Sequence, residues 1–241
     1  MAAPLIQLRK VTKRFDTHTT ALRGLTLDVM AGEALAVAGP AGAGKSTLLN
    51  MIAGLDRPTS GSVTVDGQPL DRMRETALAC FRQRRVGFVL QVVNLLDDLT
   101  VMDCLLLPAR VAGVPPRRAK ARAMSLLHTV GIEEQARCLF ASLNGEQRHC
   151  VAVAKALMNN PPLLLADRPS WDQSHAGLAK LERLLALLNA AGQTMLVVVP
   201  DAADVHGWAT RTIELADGAI VRDSYETAGN GWPMFDAGVG R

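Results

Sequence analysis

The sequence predicts an α/β fold with a parallel-sheet core, a small antiparallel β lobe and a helical subdomain. Continuous apolar runs bounded by polar or turn residues are typical of strands covered on both faces, and they lie at residues 34–38, 86–90, 163–167 and 195–199. Alternating segments at 6–11 and 25–29 predict edge strands of the lobe, which also gains a strand at 61–67. Residues from about 100 to 158 show helical periodicity and no convincing strand, which predicts the helical subdomain.

Composition sets the expected domain organisation. A chain of 241 residues that is 49% hydrophobic can bury one large core, or a core plus a smaller lobe. We expect one domain over residues 1–223, with the helical subdomain inside it. Residues 224–241 are rich in glycine and low in apolar periodicity, which predicts a loosely held C-terminal tail.

Charge and apolar patterning argue against several classes of partner and location. A net charge of +3 is too small to indicate a nucleic-acid partner, and we expect none. No apolar run approaches the roughly 18 residues that a membrane span needs, and the first residues lack the pattern of a signal peptide. The four cysteines are scattered without C-x-x-C spacing, which predicts a reducing compartment and no structural metal.

A glycine-rich loop follows the apolar run at residues 34–38 and precedes a helical segment. It reads G-x-x-x-x-G-K-S and consists of Gly39, Pro40, Ala41, Gly42, Ala43, Gly44, Lys45 and Ser46, followed by Thr47. The glycines let backbone N–H groups and the helix N-terminus point at a phosphate, and Lys45 adds positive charge at the outer phosphates. A plain glycine-rich turn would not explain Lys-Ser at this spacing. The loop predicts a nucleotide site, with ATP and Mg²⁺ as cofactors.

Three residues are candidate magnesium ligands. Ser46 offers a hydroxyl, and Asp167 ends the apolar run at 163–167 with a carboxylate, the hard oxygen ligand that an ion bridging phosphates prefers. An aspartate at a strand end also caps turns, but Lys45 upstream favours the magnesium role. Gln91, which ends the 86–90 run, could reach the same ion through its amide oxygen.

Several motifs besides the loop resemble one family. They are T-T-A-L-R-G-L at 19–25, V-G-F-V-L-Q at 86–91, N-L-L at 94–96 and A-D-G-A-I-V at 216–221. With the loop, they make the chain similar to the nucleotide-binding subunits of ABC transporters, most of all the lipoprotein-releasing and macrolide-export ATPases. The resemblance implies the ABC ATPase form of the P-loop NTPase fold, with Phe15 stacking on adenine and Gln91 sensing magnesium and the membrane subunit.

The resemblance also implies partners and a location. Residues 100–158 would dock on an integral membrane permease, so the chain is expected in the cytoplasm, peripheral on the inner face of the cell membrane. Such subunits work as sandwich dimers, in which each ATP is held between the phosphate loop of one subunit and the signature motif of the other. A second ABC ATP-binding subunit is therefore an expected partner.

The signature motif departs from the family pattern L-S-G-G-Q. Its five positions, aligned through the helical match at 151–157, are occupied by Leu143, Asn144, Gly145, Glu146 and Gln147. Glu146 replaces a glycine whose backbone amide can approach the γ-phosphate, and so brings a carboxylate toward an anion. We expect this motif to bind a partner's ATP weakly.

The positions that the resemblance assigns to hydrolysis are altered, so no catalytic residue is intact. Arg168 stands where the family has a glutamate general base, and an arginine can only donate protons in hydrogen bonds. Losing a positioned base costs roughly 10²–10⁴ in rate. Asp201 occupies the position of the histidine that holds the γ-phosphate, and Ser174 that of a dimer-contact aspartate. Arg168 and Asp201 could pair around the γ-phosphate with exchanged signs, or both could have drifted, and the sequence favours neither.

The losses fall selectively, because the residues that bind nucleotide are intact. We therefore expect an ATP-binding subunit of an export or lipoprotein-release complex whose intrinsic ATP hydrolysis is very low. Self-pairing would alter both composite sites, so a heterodimer with a complete subunit is favoured over a homodimer. The alternative is a non-hydrolysing regulatory or structural nucleotide-binding subunit of a membrane complex.

Overall fold

The computed structural model describes residues 3–90, 97–167, 175–205 and 207–225, and of residues 175–178 only the backbone. Within these ranges the strands are β1 (Ile6–Arg14), β2 (Thr20–Val29), β3 (Ala34–Ala38), β4 (Ser60–Val65), β5 (Gln68–Pro69), β6 (Val86–Val89), β7 (Leu163–Asp167), β8 (Thr194–Val198), β9 (Arg211–Ala216) and β10 (Ala219–Tyr225). The helices are α1 (Lys45–Ile52), α2 (Glu75–Arg85), α3 (Val101–Val111), α4 (Pro116–Thr129), α5 (Gly145–Ala156) and α6 (His175–Ala190).

The antiparallel lobe is a four-stranded sheet with the strand order β2-β1-β4-β5. Strand β1 pairs on one side with β2 and on the other with β4, so the prediction that residues 6–11 form an edge strand is wrong. The period-2 alternation of β1 reports which face of the strand is buried, and it carries no information on how many neighbours pair with its backbone.

The core is a six-stranded sheet with the strand order β10-β9-β3-β8-β7-β6. Its strands run parallel except β10, which is antiparallel to β9. The predicted fold class is thereby confirmed, while β9 and β10 were not among the predicted strands. Tyr225 pairs with Arg211, so β10 extends two residues past the boundary predicted at residue 223. The remainder of the predicted tail lies outside the described residues.

Alternate side chains of the core strands enter two hydrophobic clusters. Leu35 and Val37 of β3 pack with helix α1 and the lobe, whereas Ala34 and Ala36 pack with helices α3, α4, α5 and α6. Both faces of the sheet are therefore covered, which accounts for the continuous apolar runs in the sequence. The ends of β3, β7 and β8 consequently meet at one edge of the sheet, next to the start of α1.

The segment between β6 and β7 is helical where it is described. It contains α3, α4 and α5 with short 3₁₀ turns, and its only strand-like contact from residue 100 to 158 is an isolated bridge between Thr100 and Leu139. The Thr100 hydroxyl caps α3 by accepting a hydrogen bond of 3.1 Å from the Asp103 amide. The limits of the domain and of this subdomain stay predictions. Among the described residues, no helix has the length and apolarity needed to cross a bilayer.

Arg211, at the start of β9, joins the lobe to the core sheet. Its guanidinium donates two hydrogen bonds of 2.7 Å to the Asp223 carboxylate on β10. It also donates to the Glu33 carboxylate at 3.1 Å and to the Asp28 carbonyl of β2 at 2.8 Å. The Arg211 and Glu33 side chains are buried, so this ion pair is shielded from solvent. The bonds from Arg211 lower the pKa of the Asp223 carboxyl.

We predict that Arg211→Met lowers the free energy of unfolding by about 3–5 kcal/mol, because it leaves two carboxylates without their cation. Arg222→Met is the matched control, since Arg222 is solvent-exposed and its one ion-pair partner among the described residues is Glu214, at 3.3 Å; it should cost less than about 1 kcal/mol. Urea unfolding measures both. Equal effects of the two variants would contradict the role given to Arg211.

The same cluster predicts a pH dependence. The Asp223 pKa is lower in the folded chain than in the unfolded chain, so its contribution is complete above the unfolded value of about 3.9. The contribution is lost as pH falls through the folded value. The stability difference between wild type and Arg211→Met should therefore narrow below about pH 4, and a constant difference would contradict this.

Candidate functional site

The phosphate loop connects β3 to α1 and opens onto a cavity of about 220 Å³. The cavity is lined by Ala21, Ala41, Gly42, Ala43, Gly44, Lys45, Ser46 and Thr47. Helix α1 begins at Lys45 and has no acidic residue in its first turn, so the positive end of its dipole is uncompensated at the cavity. An anion at this place meets both the helix N-terminus and the loop amides.

Lys45 supplies the fixed positive charge of the cavity. Its side chain is buried, with 8% of the residue exposed, and its ammonium donates to the Gly39 carbonyl and, at 2.8 Å, to the Pro40 carbonyl. The loop thus holds the ammonium among its own carbonyls, within the cavity that would receive a phosphate. A phosphate there would pair an anion with the Lys45 ammonium, and that hydrogen bond would be stronger than the present ones to uncharged carbonyl oxygens.

Ser46 and Asp167 have the chemistry of magnesium ligands. Ser46 is exposed on the first turn of α1 and lines the cavity. Asp167 ends β7, against which α1 packs, and its Oδ1 atom is buried without a hydrogen-bond partner among the described residues. Burying a carboxylate oxygen without a hydrogen-bond donor costs free energy unless a cation or a donor binds it. Ser46 and Asp167 therefore fit a divalent ion. Gln91, the third predicted ligand, lies outside the described residues.

Phe15 follows the last residue of β1 and is 58% exposed. Its amide donates to the Thr19 carbonyl at 3.0 Å across the β1–β2 turn. Thr19 is two residues before Ala21, which lines the cavity. The Lys13 ammonium lies 5.0 Å from the Phe15 ring centroid. The residue is exposed at the surface, and the adenine-stacking role that the resemblance implies stays a prediction.

The Ala21 carbonyl packs against two glycines, one in the phosphate loop and one in the β9–β10 turn. Gly44 has φ +99° and Gly218 has φ +78°, and a Cβ atom on either would clash with the Ala21 oxygen. The Gly218 amide also donates to the Ala43 carbonyl at 3.2 Å. The β9–β10 turn therefore packs against the phosphate loop and supports its conformation. The sequence did not predict this role for Ala21 or Gly218.

The signature segment is a well-capped helix start. The Asn144 side chain accepts from the Gln147 amide at 2.8 Å and the Gln147 side chain accepts from the Asn144 amide at 3.1 Å, which forms a capping box at α5. Leu143 is buried and Gly145 is the first residue of the helix. Asn144 thus keeps the geometry of a helix cap at the position where the family has serine.

Glu146 forms an ion pair with Lys180 of α6. The Lys180 ammonium donates to the Glu146 carboxylate at 2.5 Å, and this hydrogen bond raises the Lys180 pKa. The lysine therefore stays protonated and offsets much of the carboxylate charge. The repulsion of a partner's ATP expected from Glu146 is correspondingly reduced, although the side chain still replaces a glycine.

The residues at the two hydrolytic positions are only partly described. Asp201 follows β8, where its carboxylate accepts from the Ala203 amide at 3.0 Å and caps a 3₁₀ turn at Ala202–Asp204. Arg168 lies outside the described residues, as does Ser174. The hypothesis of an Arg168–Asp201 pair therefore stays a prediction.

The fold and the loop together define a nucleotide-binding protein of the P-loop class. Residues 22–170 match the family model for ABC transporters, which is more than half of the 241 residues. The chain belongs to the ABC transporter family.

Relatives of known name agree with this family. The lipoprotein-releasing system ATP-binding protein LolD of Bacteroides fragilis is 38% identical over 218 residues, which cover 90% of this chain and 100% of LolD. The macrolide export ATP-binding/permease protein MacB of Acinetobacter baylyi is 38% identical over 91% of this chain but 33% of MacB. The chain also superposes on a dimeric post-hydrolysis structure of the cassette MJ0796 bound to ADP and Pi, with a TM-score of 0.83 and 33% sequence identity. The superposition covers 91% of this chain and 98% of the MJ0796 chain. The expected resemblance is confirmed.

We predict that Gly218→Ala weakens ATP binding while Gly67→Ala does not. Both glycines follow an aspartate in an Asp-Gly turn with positive φ at both positions, so both variants carry a similar backbone cost of roughly 1–2 kcal/mol. A Cβ atom at Gly67 meets nothing within 4 Å, whereas one at Gly218 lies 2.7 Å from the Ala21 oxygen beside the cavity. Equilibrium binding of labelled ATP should fall about tenfold only for Gly218→Ala, and equal affinities would contradict the supporting role.

Proposed function

We propose that this chain is the ATP-binding subunit of a membrane export or lipoprotein-release complex, and that it holds ATP with Mg²⁺ at residues 39–47. The observation that carries the proposal is that the Lys45 loop and Asp167, whose buried Oδ1 atom has no hydrogen-bond partner among the described residues, occur together in one fold. Mg²⁺ bound there would draw on Ser46 and Asp167, with Gln91 as a further candidate, and would neutralise charge on the outer phosphates. The names of LolD and MacB support this class of transport complex.

Hydrolysis at the chain's own site is the part of the function that we expect to be impaired. Arg168 is at the general-base position, and a guanidinium cannot accept the proton of an attacking water. The Asp201 carboxylate caps the Ala202–Asp204 turn and is negative where the family carries a histidine facing the γ-phosphate. Both substitutions act on cleavage, and neither removes a group from the phosphate loop.

We further propose that the assembled complex pairs this chain with a different ATP-binding subunit. The dimeric state of the cassette MJ0796 supports a two-subunit arrangement. The capped start of α5 and the Glu146–Lys180 pair give this chain a rigid surface at the place where a signature motif faces the partner's ATP. A complete partner would supply the turnover that Arg168 and Asp201 do not support.

The complex places the chain in the cytoplasm, peripheral on the inner face of the membrane through permease subunits, with no role for nucleic acid. A non-hydrolysing regulatory or structural subunit of such a complex is the second candidate, and Arg168 and Asp201 favour it. A purely structural role differs from an energising or regulatory role in one observable. ATP-driven transport by the assembled complex requires ATP binding at residues 39–47 if the chain energises or regulates it, and survives Lys45→Ala if the chain is only structural.

The experiment that tests the nucleotide site compares Lys45→Ala with Lys120→Ala by equilibrium binding of labelled ATP. Lys120 is an exposed lysine of α4 and serves as the matched control. Removing a charged hydrogen-bond donor costs about 1.5–3 kcal/mol, so we expect Lys45→Ala to bind roughly ten- to a hundredfold more weakly. In Asp167→Asn, added Mg²⁺ should no longer raise the affinity. Wild-type binding by Lys45→Ala would contradict the proposal.

A further inference from the structure

The positive charge of the chain is concentrated in one segment of the helical subdomain. Residues 104–132, which include most of α3 and all of α4, contain five Lys or Arg residues and no Asp or Glu. Because the whole chain has a net charge of only +3, the remaining residues together are net negative. The positive charge is therefore a local property of this segment.

Three of the five cations, Arg117, Arg118 and Lys120, lie together at the start of α4. All three are exposed, and the described residues supply no ion pair or hydrogen bond for their side chains. Lys120 and Met124, which is 40% exposed, follow Arg117 at the i+3 and i+7 positions on the same side of the helix. We call these four residues the α4 face. It combines unpaired positive charge with an exposed apolar side chain.

The charges of the α4 face do not serve the stability of the helix. Helix α4 has no acidic residue in its first turn and no side-chain cap, and Arg117 and Arg118 lie at the positive end of its dipole, where a cation is unfavourable. Surface helices commonly carry acidic side chains at the i+3 and i+4 positions from basic ones, which offsets such charges. A cluster that is unfavourable for the helix and unpaired is instead suited to a partner of opposite charge.

The opposite side of α4 is fixed to the rest of the subdomain. Ala123 and Leu127 are completely buried in its hydrophobic core. The Arg122 guanidinium donates a hydrogen bond of 3.0 Å to the Leu157 carbonyl, at the end of α5. Packing therefore sets the orientation of α4, and the α4 face is exposed without any change of fold.

Three kinds of anionic partner differ in how well they match the α4 face. Anionic lipid headgroups attract clusters of Lys and Arg, and an exposed Met can enter the boundary between headgroups and acyl chains. Cytoplasmic loops of membrane proteins match less well, because they carry an excess of Lys and Arg themselves. Single-stranded nucleic acid is bound largely by stacking on aromatic side chains, and residues 104–132 contain no Phe, Tyr or Trp.

Resting on the proposed function, which brings the chain to the inner face of a membrane, we propose that the α4 face binds the anionic headgroups of the lipids in that membrane. The contact is made in addition to attachment through the permease. A chain already held at the membrane meets the headgroups at a high effective concentration, so a weak electrostatic contact is sufficient. Because the α4 face is exposed, salt screens the contact over a Debye length of about 8 Å at physiological ionic strength.

The inference is tested by sedimenting the purified full chain with lipid vesicles at low ionic strength. The vesicles consist of phosphatidylcholine alone or of equal parts of phosphatidylcholine and phosphatidylglycerol. We expect binding to the vesicles that contain phosphatidylglycerol, no binding to phosphatidylcholine alone, and release as salt is added. Each Lys or Arg near the surface strengthens such binding roughly fivefold, so the triple variant Arg117→Gln, Arg118→Gln, Lys120→Gln should bind roughly tenfold more weakly or worse.

The matched control is the triple variant Lys10→Gln, Arg74→Gln, Arg84→Gln. These residues are exposed and lie outside the segment 104–132, and the control variant has the same net charge as the α4 variant. It should bind the anionic vesicles like wild type. Equal binding by the two triple variants, or binding of wild type to phosphatidylcholine alone, would overturn the inference. Tighter binding of the α4 face to a DNA duplex than to the anionic vesicles would also overturn it.

ATP binding separates failure of this inference from failure of the proposed function. The α4 face does not contribute to the lining of the phosphate-loop cavity, so the α4 variant should bind labelled ATP like wild type. If wild type binds ATP but not the anionic vesicles, the lipid inference is wrong and the proposed function stands. If wild type binds no ATP, the proposed function is wrong, and the vesicle comparison still decides whether the α4 face recognises anionic lipid.

Discussion

Three parts of the chain pack closely against one another at the Ala21 carbonyl. The phosphate loop reaches it at Gly44, the β9–β10 turn reaches it at Gly218, and β2 of the lobe contributes the carbonyl itself. A side chain at either glycine would force a neighbouring backbone to move. The phosphate loop therefore keeps its conformation only while the lobe and the core sheet keep their relative positions. Arg211 links the same two sheets by donating hydrogen bonds to Glu33, Asp223 and the Asp28 carbonyl. The nucleotide cavity thus depends on the packing of both sheets.

The proposed site combines residues that match the family's nucleotide-binding pattern with substituted residues at the positions that the resemblance assigns to cleavage. Lys45, Ser46 and Asp167 stand on α1 and at the end of β7, elements buried in the core, and their positions follow from the fold itself. Asp201 lies beyond the end of β8 in an exposed turn, where substitutions change chemistry at little cost to stability. The signature segment belongs with the second group, yet Lys180 compensates Glu146, which indicates that the substitution is accommodated by the surrounding structure.

Sequence reasoning was accurate where one residue pattern has one physical cause. The buried parallel strands and the loop with its helix were predicted because continuous apolar runs and the G-x-x-x-x-G-K-S spacing each arise in few ways. It missed β9 and β10, although Ile213 and Leu215 alternate with polar residues before Asp217-Gly218, the pattern of a hairpin. It also placed residues 6–11 at an edge, since pairing partners are not encoded in a strand's own alternation. The Glu146–Lys180 and Arg211 contacts join residues far apart in sequence, so no local sequence pattern predicts them.

We propose that this chain holds ATP without cleaving it, and the most direct test is the chemical identity of the nucleotide bound to the purified chain after long incubation with ATP and Mg²⁺. We expect the nucleotide recovered to be ATP, with no phosphate released above that seen with Lys45→Ala. Release of ADP and phosphate at a rate that falls on Lys45→Ala and is unchanged by Arg168→Ala would contradict it.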